Sequence, residues 1–264
     1  MRLTLLAMLV LVLGACRESF GVRTQPTGTI LRDWNETLAD VVDADGRVDF
    51  DALEAERDAL DRFVAWLDRG DGMMGKKKAD RHPFWLNAWN ALVLFQILER
   101  GRPADLTDVD GWLPGPASGF FVETQFKVGA DWISLAEIRD ERLRMRELNF
   151  RDHSAMYTGR RDGAPLRPEL YVKHRMREQL IDQMQTWVRH PTRGVTIENG
   201  VAVFPIEFDW YAKDFAFTTA GLDPCEVAAR QADALESELR ALSEAGCPRR
   251  FRPADWRLDD AARD

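Results

Sequence analysis

Cysteine and histidine are the scarce chemistry-bearing residues of this chain. Three cysteines in 264 residues, at positions 16, 225 and 247, exclude the dense disulfide frameworks of small secreted domains. Four histidines stand singly, without a His-x-x-x-His or His-x-x-Glu pair, so no helical zinc motif is present and no metal is expected. No cofactor motif appears. No apolar run is long enough to span a bilayer as a helix. Cationic blocks are also missing. Lys76-Lys77-Lys78 is the single basic run and reads as a solvated lead-in, and the net charge of −8 comes from acids and arginines interspersed along the chain. That balance argues against nucleic acid as the main partner. No repeat period is apparent, and the sequence specifies no oligomeric state.

What is present is a 45% hydrophobic content, enough to bury a sizeable core. Its densest part is Phe84-Trp85-Leu86-Asn87-Ala88-Trp89-Asn90-Ala91-Leu92-Val93-Leu94-Phe95-Gln96-Ile97-Leu98. The run predicts a helix that is apolar nearly all round, and such a helix belongs in the centre of a domain. Asn87 and Asn90 interrupt it on one face. A buried carboxamide must be hydrogen-bonded. These two either tie neighbouring loops to the core or line a ligand pocket.

The first residues predict an address. Arg2 and the short apolar stretch Leu3 to Leu13 lead into Leu13-Gly14-Ala15-Cys16, a pattern that looks like a bacterial lipobox. The expectation is cleavage before Cys16 and its lipidation, with residues 1–15 as signal peptide and 16–28 as tether. Arg17 follows in place of an aspartate, so the anchor is expected in the outer membrane, facing the periplasm.

From residue 29 the chain reads as one α+β domain, mainly helical, around the buried central helix with small antiparallel hairpins. Ile30, Leu31, Trp34, Leu38 and Val41 fall at helical spacing, as do Phe50 to Leu67. Asp43-Ala44-Asp45-Gly46 fails as a calcium loop, because Val41 and Ala52 would occupy ligand positions, and reads as a turn. Asp105, Asp108 and Asp110 cluster in a loop that is either solvated or a weak cation site. Phe120-Phe121-Val122, Phe126-Lys127-Val128 and Trp132-Ile133 have strand chemistry. Ser134-Leu135-Ala136-Glu137 is a capping box opening a helix to about Arg146. Residues 149–168 form a long loop, and such loops in compact domains commonly carry function. Helices are predicted over Leu170 to Val188 and Pro224 to Ala245, and Asn199-Gly200 turns a hairpin within Val195 to Val203. A continuous helix between Cys225 and Cys247 would hold them about 30 Å apart, so no disulfide is expected between them.

Phe84-Trp85-Leu86-Asn87-Ala88-Trp89-Asn90-Ala91-Leu92 resembles the signature of the family called domain of unknown function 547. Val128-Gly129, Ile133-Ser134-Leu135, Leu143-Arg144, Pro165-Leu166-Arg167, Trp210-Tyr211-Ala212-Lys213-Asp214-Phe215 and Asp255-Trp256-Arg257-Leu258 continue it in order, over roughly residues 30–260. The resemblance implies a loop bearing two cysteines after a histidine. Aligned on His153 and Pro165-Leu166-Arg167, this chain has Thr158 and Gly163 at the cysteine positions. Asp140 stands where the family carries another histidine.

Nucleophilic catalysis needs an activated group with a base in reach. His153, Thr158 and Asp140 are the weak catalytic candidates. Asn87, Asn90, Trp210 and Asp214 are the pocket candidates, with Trp210, Tyr211 and Phe215 reading first as core aromatics. Two functions stay open. One is a non-catalytic lipoprotein that binds a small-molecule or envelope ligand. The other is a hydrolase or transferase acting on an envelope amide or ester without a cysteine.

Overall fold

The computed structural model describes residues 19–20, 29–70 and 78–263. Cys16 and Lys76-Lys77 lie outside the described residues, as does all of the expected tether except Ser19 and Phe20. Those two residues form β1 (Ser19–Phe20), which pairs in parallel with a later strand at Gln125 and Phe126.

Helix α1 (Ile30–Val41) buries Trp34, Leu38 and Val41, the apolar face set by its spacing. The following acidic tetrad is a turn. Asp43 Oδ1 accepts from the backbone N–H groups of Asp45 (2.9 Å) and Arg47 (2.8 Å), and Gly46 sits at φ +69°. A Cβ at Gly46 would lie 2.3 Å from Cβ of Pro165, so only glycine fits this crossing. The predicted second helix is two: α2 (Phe50–Ala55), capped by Asp49, and α3 (Arg57–Arg69). Glu56 leaves helical geometry between them.

Helix α4 (Lys78–Glu99) contains the apolar run and extends it by a turn and a half, with Pro83 inside. Leu86, Ala88, Ala91, Leu92, Val93, Leu94 and Ile97 have no exposed surface, so the helix is enclosed on all sides. Phe120-Phe121-Val122 is not a strand. Gly119–Glu123 winds into a helical turn of π spacing, because side chains bond back to local backbone. Glu123 accepts from the N–H groups of Trp112 (3.0 Å) and Leu113 (2.8 Å), and the Thr124 hydroxyl donates to the Gly119 carbonyl (2.7 Å). The turn lets the adjacent Phe120 and Phe121 both be buried, which alternation along a strand would forbid.

Strands β2 (Gln125–Val128) and β3 (Asp131–Ile133) form an antiparallel hairpin. The Ser134 capping box is fully made and starts α5 (Leu135–Glu137). The helix runs on through the π-spaced segment Ile138–Arg144 into α6 (Met145–Glu147). A short α7 (Asp152–Ala155) interrupts the segment 149–168 that reads from sequence as one loop, and the loop proper follows it. Helix α8 (Met176–Arg189) begins six residues later than its sequence pattern predicts. The backbone of residues 170–172 is instead bonded by side chains. Asn35 accepts from Leu170 N–H, Asn87 from Tyr171 N–H, and Gln179 from Val172 N–H.

Strands β4 (Thr196–Glu198) and β5 (Val201–Phe204) flank the Asn-Gly turn, with Asn199 at φ +51° and Gly200 at φ +76°. The chain then makes α9 (Glu207–Trp210) and α10 (Ala212–Thr218). The last predicted helix is a hairpin of α11 (Pro224–Ala229) and α12 (Glu236–Glu244), and β6 (Arg249–Phe251) returns parallel to β5.

That hairpin overturns the expectation of unpaired cysteines. Cys225 and Cys247 form a disulfide with Cα atoms 5.7 Å apart. Arg189 at the end of α8 holds the break, donating to the Gln231 carbonyl at 2.7 Å and pairing with Asp233 at 2.8 Å. Two buried clusters result among the described residues. The larger surrounds α4, and the second joins α8, the β4–β5 hairpin and the disulfide hairpin. No helix among the described residues is long and apolar enough to cross a membrane. Among the described residues the α+β architecture is thus mainly helical, around the central helix, with two three-stranded sheets that each contain an antiparallel hairpin.

Candidate functional site

The central helix positions the long loop through adjacent side chains. Asn90 donates to the Ala155 carbonyl (3.0 Å) and accepts from Tyr157 N–H (2.9 Å), while the Trp89 indole donates to the Tyr157 carbonyl (2.5 Å). Gly159, at φ +77°, presses the loop onto α4, where a Cβ would meet Ile97 at 2.8 Å. From the other side, Asp259 N–H donates to the Gly159 carbonyl at 2.9 Å. The loop is therefore gripped between α4 and the chain's last residues, and His153, Met156, Thr158 and Arg160 line one cleft of about 60 Å³.

His153 is fixed on three sides. Its ring stacks on Tyr211 with centroids 4.0 Å apart, Phe215 lies beyond it at 5.7 Å, and Nε2 lies 3.0 Å from Asp214 Oδ2. Arg144 also grips Asp214, through Nε to Oδ2 (2.5 Å) and Nη2 to Oδ1 (2.9 Å). Burial alone would raise the Asp214 pKa, but the His153 and Arg144 hydrogen bonds outweigh it and hold the carboxyl well below the usual range. An ionised carboxylate only accepts, so the His153 Nε2 proton points at Asp214. Nδ1 is buried without a partner.

Arg160 forms the cleft's opposite side and is 1% exposed. It donates to Asp162 (2.9 Å) and to Glu207 Oε1 (2.8 Å), and its guanidinium lies over the rings of Trp210 (5.2 Å) and Trp256 (5.1 Å). The two indoles stack on each other at 6.0 Å. Glu207 Oε2 is buried and unpartnered. Trp89, Phe121 and Arg139 complete the lining.

The structure separates the sequence candidates into groups. His153 and Thr158 share the cleft, and Trp210 forms its rim, 45% exposed and so not a core aromatic, unlike Phe215. Asp214 stands behind His153 as its partner, not in the lining. Asp140 reaches the site only through arginines. It accepts from Arg139 (2.9 and 2.7 Å) and Arg144 (2.8 Å), and these bonds lower its pKa against the opposing effect of burial. Asn90 lies beneath the cleft, holding the backbone between His153 and Thr158. Asn87 lies elsewhere, lining a separate apolar groove of about 380 Å³ with its amide bonded both ways to the Tyr171 backbone. Asp105 caps a short turn by accepting from Thr107 N–H at 2.8 Å. Among the described residues the one cluster of metal-ligating types is Asp223, Cys225 and Cys247, whose sulfurs are bonded to each other.

The residues that sequence reasoning missed are Arg160, Glu207, Arg139 and Arg144. Glu207 alone left a signal, as an acid inside the apolar run Phe204-Pro205-Ile206-Glu207-Phe208. The arginines look like any others until the fold buries them.

Chemically, the Asp214–His153 pair has the geometry of an oriented base. The Thr158 hydroxyl does not complete it. Thr158 Oγ1 accepts weakly from Arg160 N–H (3.4 Å), and among the described residues it shares no hydrogen bond with His153. The cleft is a small recess walled by aromatic rings and edged by Arg139 and Arg160, an arrangement suited to holding a small group.

No curated protein and no solved structure matches the chain. The segments 210–215 and 255–258, which supply Trp210, Asp214 and Trp256, lie outside the one stretch that a family model matches. Residues 74–188, which span the central helix and the His153–Thr158 loop, match the family described as "Protein of unknown function, DUF547", and so support the family that this helix resembles.

Proposed function

We propose that this protein is a lipid-anchored envelope protein that binds a small ligand group in the His153–Trp210 cleft and does not turn it over. The observation that carries the reading is the missing link between hydroxyl and base. A serine- or threonine-type nucleophile needs its base within hydrogen-bond reach. His153 spends Nε2 on Asp214, and its Nδ1 has no partner. What remains is a rigid, aromatic-walled recess, the usual construction of a binding site. The Leu13-to-Cys16 pattern supports the anchor, and the outer membrane facing the periplasm is the proposed address.

The Asp214–His153 pair favours a second reading, a hydrolase or transferase for an envelope amide or ester with Thr158 as nucleophile. One experiment separates them. The full-length protein, its Thr158→Ala and its Cys16→Ser variants are expressed with a fatty-acid analogue and then incubated with a labelled envelope extract. The binding reading expects fatty-acid label on all but Cys16→Ser, with ligand recovered unmodified from both wild type and Thr158→Ala. Turnover by wild type that vanishes in an equally stable Thr158→Ala overturns it. Equal lipid labelling of Cys16→Ser removes the anchor.

A further inference from the structure

The place of β1 limits how far the domain can stand from its anchor, and this inference rests on the lipid-anchored reading above. As a free tether, the stretch from Cys16 to Thr29 would reach about 45 Å when extended. Strand β1 takes up most of that length. Ser19 pairs with Gln125 and Phe20 with Phe126, so only the stretch from Cys16 to Ser19 is left, roughly 11 Å at full extension. Neighbouring strands lie about 5 Å apart, which keeps Cys16 within about 16 Å of Gln125. Because β1 runs parallel to β2, the chain from Cys16 arrives at the Gln125 end of the sheet.

Among the described residues, three exposed apolar side chains lie about that end. Val122, 38% exposed, stands just before Gln125 in the chain, and Trp112, 66% exposed, donates its backbone N–H to Glu123 at 3.0 Å. Trp132, 52% exposed, is the cross-strand partner of Lys127, on the face opposite the buried Phe126 and Ile133. Single exposed apolar residues need no explanation. Two tryptophans and a valine gathered where a lipid-bearing cysteine joins the fold do, since an indole places an apolar ring and a polar N–H at a membrane–water boundary. We infer that Trp112, Val122 and Trp132 dock into the headgroup layer of the membrane that holds Cys16, so that the domain lies against the lipid surface. The flanking charges are paired, Lys127 with Asp68 at 2.8 Å and Arg142 with Asp131 at 3.0 Å. The attraction is therefore apolar, and a zwitterionic lipid suffices for it.

The test places the full-length lipidated protein, labelled with 5-fluorotryptophan, in phosphatidylcholine vesicles and reads its fluorine resonances. Trp112→Phe and Trp132→Phe identify the two signals. A phosphatidylcholine with a nitroxide high on its acyl chain should broaden both at least two-fold, relative to the same vesicles after ascorbate reduction. A water-soluble gadolinium chelate should leave both nearly unchanged. Trp132→Glu, a change at an exposed strand position, should at least halve the nitroxide effect on Trp112; no change there overturns the shared face. If Cys16 carries lipid by mass spectrometry, yet the chelate broadens both signals and the nitroxide neither, the domain stands off the membrane. The inference then falls and the anchor stands. Signals shielded from both reagents mean that protein, not lipid, covers the face, which also overturns it. Absence of lipid on Cys16 removes the anchored reading and this inference with it.

Discussion

Replacing Asn90 by alanine attacks the joint on which the cleft depends. The side chain supplies two hydrogen bonds to one backbone turn, 3.0 Å to the Ala155 carbonyl and 2.9 Å from Tyr157 N–H. All three residues are buried. Removal strands one acceptor and one donor, each at about 1–3 kcal/mol. A water entering the vacated space would recover part of that. The expected loss is therefore about 3 kcal/mol, in the lower half of the combined range of about 2–6 kcal/mol. At roughly 2–4 °C per kcal/mol for a chain of this size, the melting temperature should fall by about 6–12 °C. Asn87→Ala is the control, since Asn87 makes the same pair of bonds to Tyr171 from a half-buried position, where water substitutes more easily. The assay is thermal unfolding by circular dichroism, with hydrogen exchange at the Tyr157 amide as the local readout. Faster exchange at Tyr157 with little change at β5 would place the damage in the loop. A fall of under 2 °C, or a loss no larger than that of Asn87→Ala, refutes the claim that Asn90 is the buried clamp.

Reduction of the Cys225–Cys247 disulfide, which spans a sequence separation of 22, should destabilise the α11–α12 hairpin by about 3 kcal/mol in the chain-entropy account; unchanged unfolding in excess dithiothreitol would contradict it. Acid should act through Asp214. Its folded pKa is depressed, so the stability from its bonds to Arg144 and His153 is fully present above the unfolded value of about 4 and is lost as pH falls through the folded one. The stability gap between wild type and Asp214→Asn, measured by urea melts, should be constant from pH 7 to 5 and narrow toward pH 2. A gap that stays constant to pH 2 rules out the ion pair as its cause.

The fold was legible wherever one residue pattern allowed one local outcome. Trp34, Leu38 and Val41 at helical spacing, the Ser134–Glu137 capping box and Asn199-Gly200 each specify their element from neighbours in sequence. The apolar run of α4 also specified its own burial, because no face of it could tolerate water. Patterns failed where tertiary partners competed with local preference. Residues 170–175 have helical periodicity, yet Asn35, Asn87 and Gln179 take their backbone groups first. Val227, Leu235, Leu239 and Leu242 fit one continuous helix, and neither Arg189 bonding the break nor the disulfide closing it has any trace in that periodicity. Phe120-Phe121-Val122 has strand composition, and Glu123 and Thr124 curl it through bonds to backbone groups as far as eleven residues away.

The site divides in the same way, and the division has a physical reason. His153, Thr158, Trp210 and Asp214 could be singled out because their chemistry is scarce in this chain or sits in a distinctive motif. Arg160 could not, and Glu207 only by standing in an apolar run, because charged residues make up 30% of the sequence and most of them are solvated. What distinguishes these two is burial, a property of the assembled fold. Arg160 is enclosed by Trp210 and Trp256, residues 46 positions apart that stack at 6.0 Å, so its environment exists only after the last segment of the chain has folded over the loop. The buried guanidinium in turn fixes Glu207 Oε1. A residue substitution that changes the candidate nucleophile is visible in one dimension. The buried Arg160–Glu207 pair beneath Trp210 and Trp256 is created by three segments meeting, and it becomes visible only when they do.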